Sequence, residues 1–166
     1  MTRVAVIGAG SWGTAVSALV AQNADEVVLW SHGSEGAKAI NETHRNPRYL
    51  TDVELPANIT ATSDLSAASK GADAVVLATP STHLRTISHE LADTVGEELP
   101  VVVLTKGVEA GSGLLMSEVV ADELGNERRV LALSGPNHAE EVSHGMFSCA
   151  VQPRPTVSSP NACVRS

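Results

Sequence analysis

The stretch Arg3 to Thr14, R-V-A-V-I-G-A-G-S-W-G-T, constrains the fold of this chain more than any other. A β-branched apolar run, Val4-Ala5-Val6-Ile7, leads directly into Gly8-Ala9-Gly10-Ser11-Trp12-Gly13. Thr14 to Gln22 then continues almost entirely in Ala, Val, Leu and Ser, which reads as a helix. Strand, glycine turn and helix in that order form the dinucleotide-binding fingerprint. Each glycine has a separate physical task. Gly8 permits the tight exit from the strand, Gly10 lets a pyrophosphate approach the backbone, and Gly13 lets the helix pack closely on the sheet. The helix start offers free N–H groups and the positive end of its dipole to phosphates. The competing reading of the same glycines is an ordinary structural turn.

At 166 residues the chain fits one domain with a sizeable core. Aromatic residues are only 2% of it, so that core must be built from Ala, Val, Leu and Ile. The formal net charge of −8, with no Lys/Arg cluster, argues against a nucleic-acid partner. An anionic ligand would need backbone dipoles and a few placed cations. No apolar run approaches the roughly 18 residues of a membrane span, so no membrane insertion is expected. With only Met1-Thr2 ahead of the first strand, no signal peptide is expected. Cys149 and Cys163 are too few for a zinc site and argue against a disulfide framework, which points to a cytoplasmic protein with reduced thiols.

Strand and helix patterns alternate along the chain. Strands are expected at Glu26–Trp30, Asn58–Thr62, Asp73–Thr79, Val101–Thr105 and Arg129–Leu133. Helices are expected at Ser34–His44, ended by Asn46-Pro47, then from a Ser63 cap to Ser69, at Thr82–Val95 and at Leu114–Leu124, with a short one to about Ser143. Arg48 to Pro56 reads as an ordered loop anchored by Tyr49, Leu50 and Leu55. The alternation predicts an α/β fold: a doubly wound, mostly parallel, Rossmann-type sheet of six or more strands. From Gln152 onward the chain has three prolines and no apolar period. Residues 1–152 are therefore expected to form the folded domain, and 153–166 a disordered tail.

In open parallel sheets ligands sit beyond the carboxyl ends of the strands, so the residues just after each strand are the candidates. After strand one come Ser11 and Trp12. After strand two comes Ser31-His32-Gly33, with no carboxylate to exclude a 2′-phosphate, and His32 can donate to one. NADPH is therefore expected to bind at least as well as NADH. A solvated loop histidine is the plainer alternative. After strand five stands Lys106, either a surface lysine or an anion contact at the cleft. After strand six, Gly135-Pro136-Asn137 opens a helix start, another natural anion site.

The blocks G-A-G-S-W-G-T, L-W-S-H, N-P-R-Y-L, L-P-A-N-I-T-A-T-S-D-L, T-P-S, T-K-G-V-E and S-G-P-N-H-A-E-E-V, in this order, resemble the N-terminal domain of bacterial NAD(P)-dependent glycerol-3-phosphate dehydrogenases. The resemblance covers about residues 3 to 152. It implies hydride transfer between NADP(H) or NAD(H) and dihydroxyacetone phosphate, a small phosphate substrate, giving sn-glycerol 3-phosphate for phospholipid synthesis. It implies cofactor contacts at Ser11, Trp12, His32, Tyr49, Lys106 and Ala139, and substrate contacts at Lys106, Gly135 and Asn137. Asn137 departs from the family, which more often has Ser or Thr there, although an amide also donates a hydrogen bond. The resemblance leaves room for a homodimer of the full-length protein.

In the family a helical second domain follows, carrying the lysine that handles the proton and an arginine for the substrate phosphate. No residue after Met146 resembles it, so no catalytic residue is assigned in this chain and the chain alone is expected to be inactive. The abrupt change near Gln152 suggests a frameshift, a truncation or a gene fragment. A 3-hydroxy acid dehydrogenase, a non-catalytic nucleotide-binding module and an inactive fragment remain the alternatives.

Overall fold

A computed structural model describes residues 1–134, 139 and 150–152. Gly135, Asn137, the short helix expected to Ser143 and the tail 153–166 lie outside the described residues. In chain order the elements are β1 (Arg3–Ile7), α1 (Ser11–Val20), β2 (Glu26–Trp30), α2 (Ser34–Thr43), β3 (Ile59–Thr62), α3 (Leu65–Ser69) and β4 (Ala74–Leu77). There follow α4 (Ser81–Ala92), β5 (Val101–Val103), α5 (Met116–Leu124), a single 3-10 turn (Glu127–Arg129), β6 (Val130–Ser134) and β7 (Ala150–Gln152).

The strands form one sheet in the order β3-β2-β1-β4-β5-β6-β7. All neighbours are parallel except the last pair, where β7 runs against β6. The sheet is doubly wound and reverses direction between β1 and β4, as the alternation of elements required. The seventh strand was not read from the sequence, because three residues carry no usable period.

Burial on both faces explains why the strands are almost wholly apolar. Alternate residues serve opposite layers. Ala5, Ile7, Val28, Val75, Leu77, Val101 and Val103 pack against α3, α4 and α5 through Ala68, Leu84, Ile87, Leu91, Val119 and Val120. Val4, Val6, Val27, Leu29 and Val76 form the opposite layer with Val16, Ala37, Ile40 and Leu55. As the composition implied, the described core is aliphatic, with Trp30 its one aromatic member.

Several boundaries differ from those expected. Helix α1 begins at Ser11 rather than Thr14, so Trp12 and Gly13 lie within its first turn. Helix α3 is capped by Asp64, whose carboxylate accepts from the Ala67 N–H at 3.0 Å, not by Ser63. An acid one residue nearer the helix reaches its third N–H with the shorter loop. Helix α4 starts at Ser81 rather than Thr82, with Pro80 as its extended cap residue (φ −56°, ψ 144°). Helix α2 ends on His44 in the left-handed conformation (φ 49°), ahead of Asn46-Pro47. In the loop that follows, Leu55 is buried and anchors it as expected, whereas Tyr49 is 44% exposed and does not.

Candidate functional site

The register levels the carboxyl ends of the central strands. Ile7 pairs with Trp30 on one side and Leu77 on the other, and Leu77 with Val103. The exits of β1, β2, β4 and β5 therefore lie side by side along one edge. Backbone bonds tie them together. Gly8 N–H donates to the Trp30 carbonyl at 3.1 Å, Ala78 N–H to Ile7 at 2.9 Å, and Leu104 N–H to Leu77 at 2.9 Å.

At the middle of this edge the three glycines separate by cause. Gly8 holds φ +122°, and a Cβ there would stand 2.7 Å from the Ala78 carbonyl oxygen. Gly13 is more constrained, because its Cβ would fall 1.7 Å from the Gly8 carbonyl oxygen and 3.3 Å from the Ala78 side chain. The task of Gly13 is thus first to let helix α1 sit on its own entry loop, and only second to approach the sheet. Gly10 differs from both. Among the described residues nothing lies within 4 Å of the position its Cβ would take, and its backbone is extended with φ −78°. The packing of the described residues gives no reason for glycine there.

Gly10 is also the cap residue of α1. It has no side chain to satisfy the first N–H groups, and no acid stands in the first turn. The positive end of this helix thus carries no carboxylate of its own, at the reversal point of the sheet. An open, uncapped, acid-free helix start behind a glycine turn fits a pyrophosphate. Ser11 and Trp12, both half-buried, stand on that first turn.

Asn46 was missed as a site residue and read only as a helix stop. It is 3% exposed and uses its whole side chain. Nδ2 donates to the Ala9 carbonyl at 2.9 Å and to Thr14 Oγ1 at 2.8 Å. Oδ1 accepts from the N–H groups of Arg48 at 3.1 Å and Tyr49 at 3.2 Å. One buried amide thus fastens the segment bearing Tyr49 to the glycine loop. The asparagine-proline pair signals a turn of this kind, but nothing local names its distant partner.

The other candidates stand along the same edge. His32, exposed just beyond β2, meets Trp30 edge-on with ring centroids 5.9 Å apart. Trp30 is itself held by Nε1 donating to the Ser63 carbonyl at 3.1 Å. Lys106 is exposed, directly after Thr105, whose Oγ1 donates to the Thr79 carbonyl at 2.7 Å. Ala139 is half-buried. The structure thus joins Gly8, Gly10, Ser11, Trp12 and Gly13 with the Tyr49 segment, and aligns His32 and Lys106 on the same edge. Gly135 and Asn137 are outside the described residues.

A charged cluster flanks the Lys106 segment. Arg85 on α4 grips Glu109 with two bonds of 2.8 Å and also reaches Asp122 and Glu123 on α5. Hydrogen bonds from Arg85 and then Ser112 hold the Glu109 carboxyl down at about 2, and hydrogen bonds to Glu109, Asp122 and Glu123 push the Arg85 guanidinium further up. Among the described residues no group of three or more His, Cys, Asp or Glu is placed to hold a metal, and no helix is long and apolar enough to cross a membrane.

The family described as the N-terminus of NAD-dependent glycerol-3-phosphate dehydrogenase matches residues 3–156. Glycerol-3-phosphate dehydrogenase (NAD(P)+) of Oceanobacillus iheyensis is 46% identical over 144 residues, covering 86% of this chain and 42% of the relative. The Corynebacterium jeikeium enzyme of the same name is 44% identical over 153 residues, covering 91% of this chain and 46% of the relative. A crystal structure of glycerol-3-phosphate dehydrogenase from Coxiella burnetii superposes with a TM-score of 0.82 at 31% identity, covering 90% of this chain and 46% of that one. The chain thus spans less than half the length of each of these relatives.

Proposed function

Because the chain belongs to the NAD-dependent glycerol-3-phosphate dehydrogenase family, matched over residues 3–156, we propose that it is the nucleotide-binding half of an enzyme reducing dihydroxyacetone phosphate with NAD(P)H. The product would be sn-glycerol 3-phosphate, destined for phospholipid synthesis in the cytoplasm, and the full-length enzyme would be free to pair as a homodimer. Residues 1–152 make up the binding domain in this reading, with 153–166 outside it. Its support is that the family match, residues 3–156, covers this span and ends close to its boundary.

One observation carries the proposal. Of the three glycines in the turn, Gly8 and Gly13 are demanded by contacts within the protein, and Gly10 is not. The space that the described residues leave over Gly10, at a helix start with no side-chain cap and no acid in its first turn, would take a ligand phosphate. A dinucleotide held there would supply the hydride for the carbonyl carbon. The N–H groups of Ser11, Trp12 and Gly13 would hold the pyrophosphate, with the Tyr49 segment fixed beside them by Asn46. His32, beyond β2, would face the adenosine ribose, and Lys106 would neutralise charge on the cofactor and substrate side. By family resemblance Ala139 would lie against the cofactor, and Gly135 and Asn137 would touch substrate.

Reduction of a ketone also needs a proton at the oxygen. The family resemblance places the lysine that handles it in the second domain. This chain assayed alone therefore binds nucleotide without turning substrate over. Fluorescence titration with NADPH and NADH tests the binding, and the expected result is saturable binding with NADPH at least as tight as NADH. A clear preference for NADH would overturn the assignment of His32. Sustained NADPH oxidation with dihydroxyacetone phosphate by this chain alone would overturn the division of labour.

A further inference from the structure

Lys106 stands on a short span fastened at both ends. Upstream, the Thr105 hydroxyl is bonded to the end of β4 at the Thr79 carbonyl, 2.7 Å away. Downstream, Glu109 receives Arg85 Nε on Oε1 and Arg85 Nη2 on Oε2, each at 2.8 Å. Ser112 Oγ adds a bond to Glu109 Oε2 at 2.6 Å. The Glu109 backbone closes the same loop, donating to the Leu114 carbonyl at 2.8 Å and accepting from the Gly113 N–H at 3.0 Å. Between the anchors lie only Lys106, Gly107 and Val108, with Gly107 at φ +117°.

The downstream anchor is itself built into the helical layer. Arg85 Nη1 donates to Asp122 Oδ2 at 2.8 Å and to Glu123, and Glu123 also holds His89 Nδ1 at 3.0 Å. A single planar guanidinium therefore joins the 106–115 segment to α4 and α5 at once. A lysine in its place would offer a point charge without the fork.

We propose that Arg85 is a positioning residue that, through Glu109, sets where Lys106 stands at the carboxyl edge of the sheet. It touches neither nucleotide nor substrate. The inference rests on reading Lys106 as a cofactor and substrate contact. Plain glue between α4 and α5 would be the ordinary alternative, and it predicts lost stability with unchanged binding.

The test uses the full 166-residue chain carrying E109Q, R85K or K106A, and the pairs E109Q/K106A and R85K/K106A. E109Q is the sharper variant, because it leaves the Arg85 bonds to Asp122 and Glu123 in place. The first readout is the rate of tryptic cleavage after Lys106, followed by mass spectrometry. The second is NADPH affinity. E109Q and R85K are expected to speed cleavage after Lys106 and to weaken NADPH about three- to fivefold, the upper end for a partly exposed forked ion pair. In the K106A background the same changes should shift affinity by less than about twofold, because the coupling has lost its carrier. An unchanged cleavage rate, or equal weakening with and without Lys106, overturns the proposal. If the unsubstituted chain binds no dinucleotide at all, the functional reading fails instead, and the cleavage rates still decide whether Arg85 positions the span.

Discussion

At the scale of single residues, two glycines flanking a helix start, one just before Ser11 and one two residues after it, behave oppositely. Gly13→Ala would drive a Cβ into the Gly8 carbonyl, and neither backbone can yield. It is expected to cost more than about 4 kcal/mol and to be seen as a collapsed urea midpoint. Gly10→Ala meets nothing among the described residues, so its stability cost should stay within about 1 kcal/mol, that of a poor cap residue. Its NADPH affinity should nevertheless fall steeply, because the methyl would occupy the space assigned to phosphate. Equal losses of stability in the two variants would refute the distinction. Asn46→Ala strands two backbone N–H groups, a carbonyl and the Thr14 hydroxyl. It should cost about 2–4 kcal/mol by equilibrium denaturation. The glycine pattern was legible from spacing alone. Asn46 was not, because its donors reach residues 37 and 32 positions away.

At the scale of elements, helix and strand identity followed from local pattern, and boundaries followed from contacts the pattern does not contain. Helix α1 begins three residues early because the packing of Gly13 on Gly8 draws the turn into the helix. Its other end is finished by a residue from beyond α2: Asn58 Nδ2 donates to the carbonyls of Ala21 and Ala24, each at 2.9 Å. Asn58→Ala should cost about 1–2 kcal/mol by leaving both carbonyls without that donor, and thermal melts would report it. The outer strand β3 is covered in a similar way. Asn41 on α2 donates to the Ala61 carbonyl at 2.8 Å and accepts its N–H at 2.7 Å, which closes part of an otherwise open edge.

At the scale of the whole molecule, the sheet order sets one long edge, and a charged cluster buttresses one end of it. Glu109 is held at about 2, below its ordinary 4.5, by hydrogen bonds from Arg85 and Ser112. A carboxyl depressed in the folded state contributes its full stability above the unfolded value and loses it as pH falls through the folded one. The melting-temperature gap between the unsubstituted chain and E109Q should therefore be constant at pH 6–7, narrow below about 4.5 and close towards pH 2. A gap that widens on acidification would contradict the assigned partners. High salt should shrink the gap as well, since the cluster is only partly shielded from solvent.

Periodicity, glycine spacing and strand-helix alternation by themselves determined that this chain makes a mostly parallel doubly wound sheet with a glycine turn between β1 and a helix. These are properties of neighbours a few residues apart, and propensity and burial act on that range. The resemblance of the ordered blocks added the family. Only the tertiary structure decided that Gly13 answers to Gly8, that Asn46 fastens the Tyr49 segment, and that Arg85 braces the span bearing Lys106. Each of those is a directional hydrogen bond or a steric limit between residues that the strand order brings together. No local pattern encodes which distant carbonyl a buried amide will find.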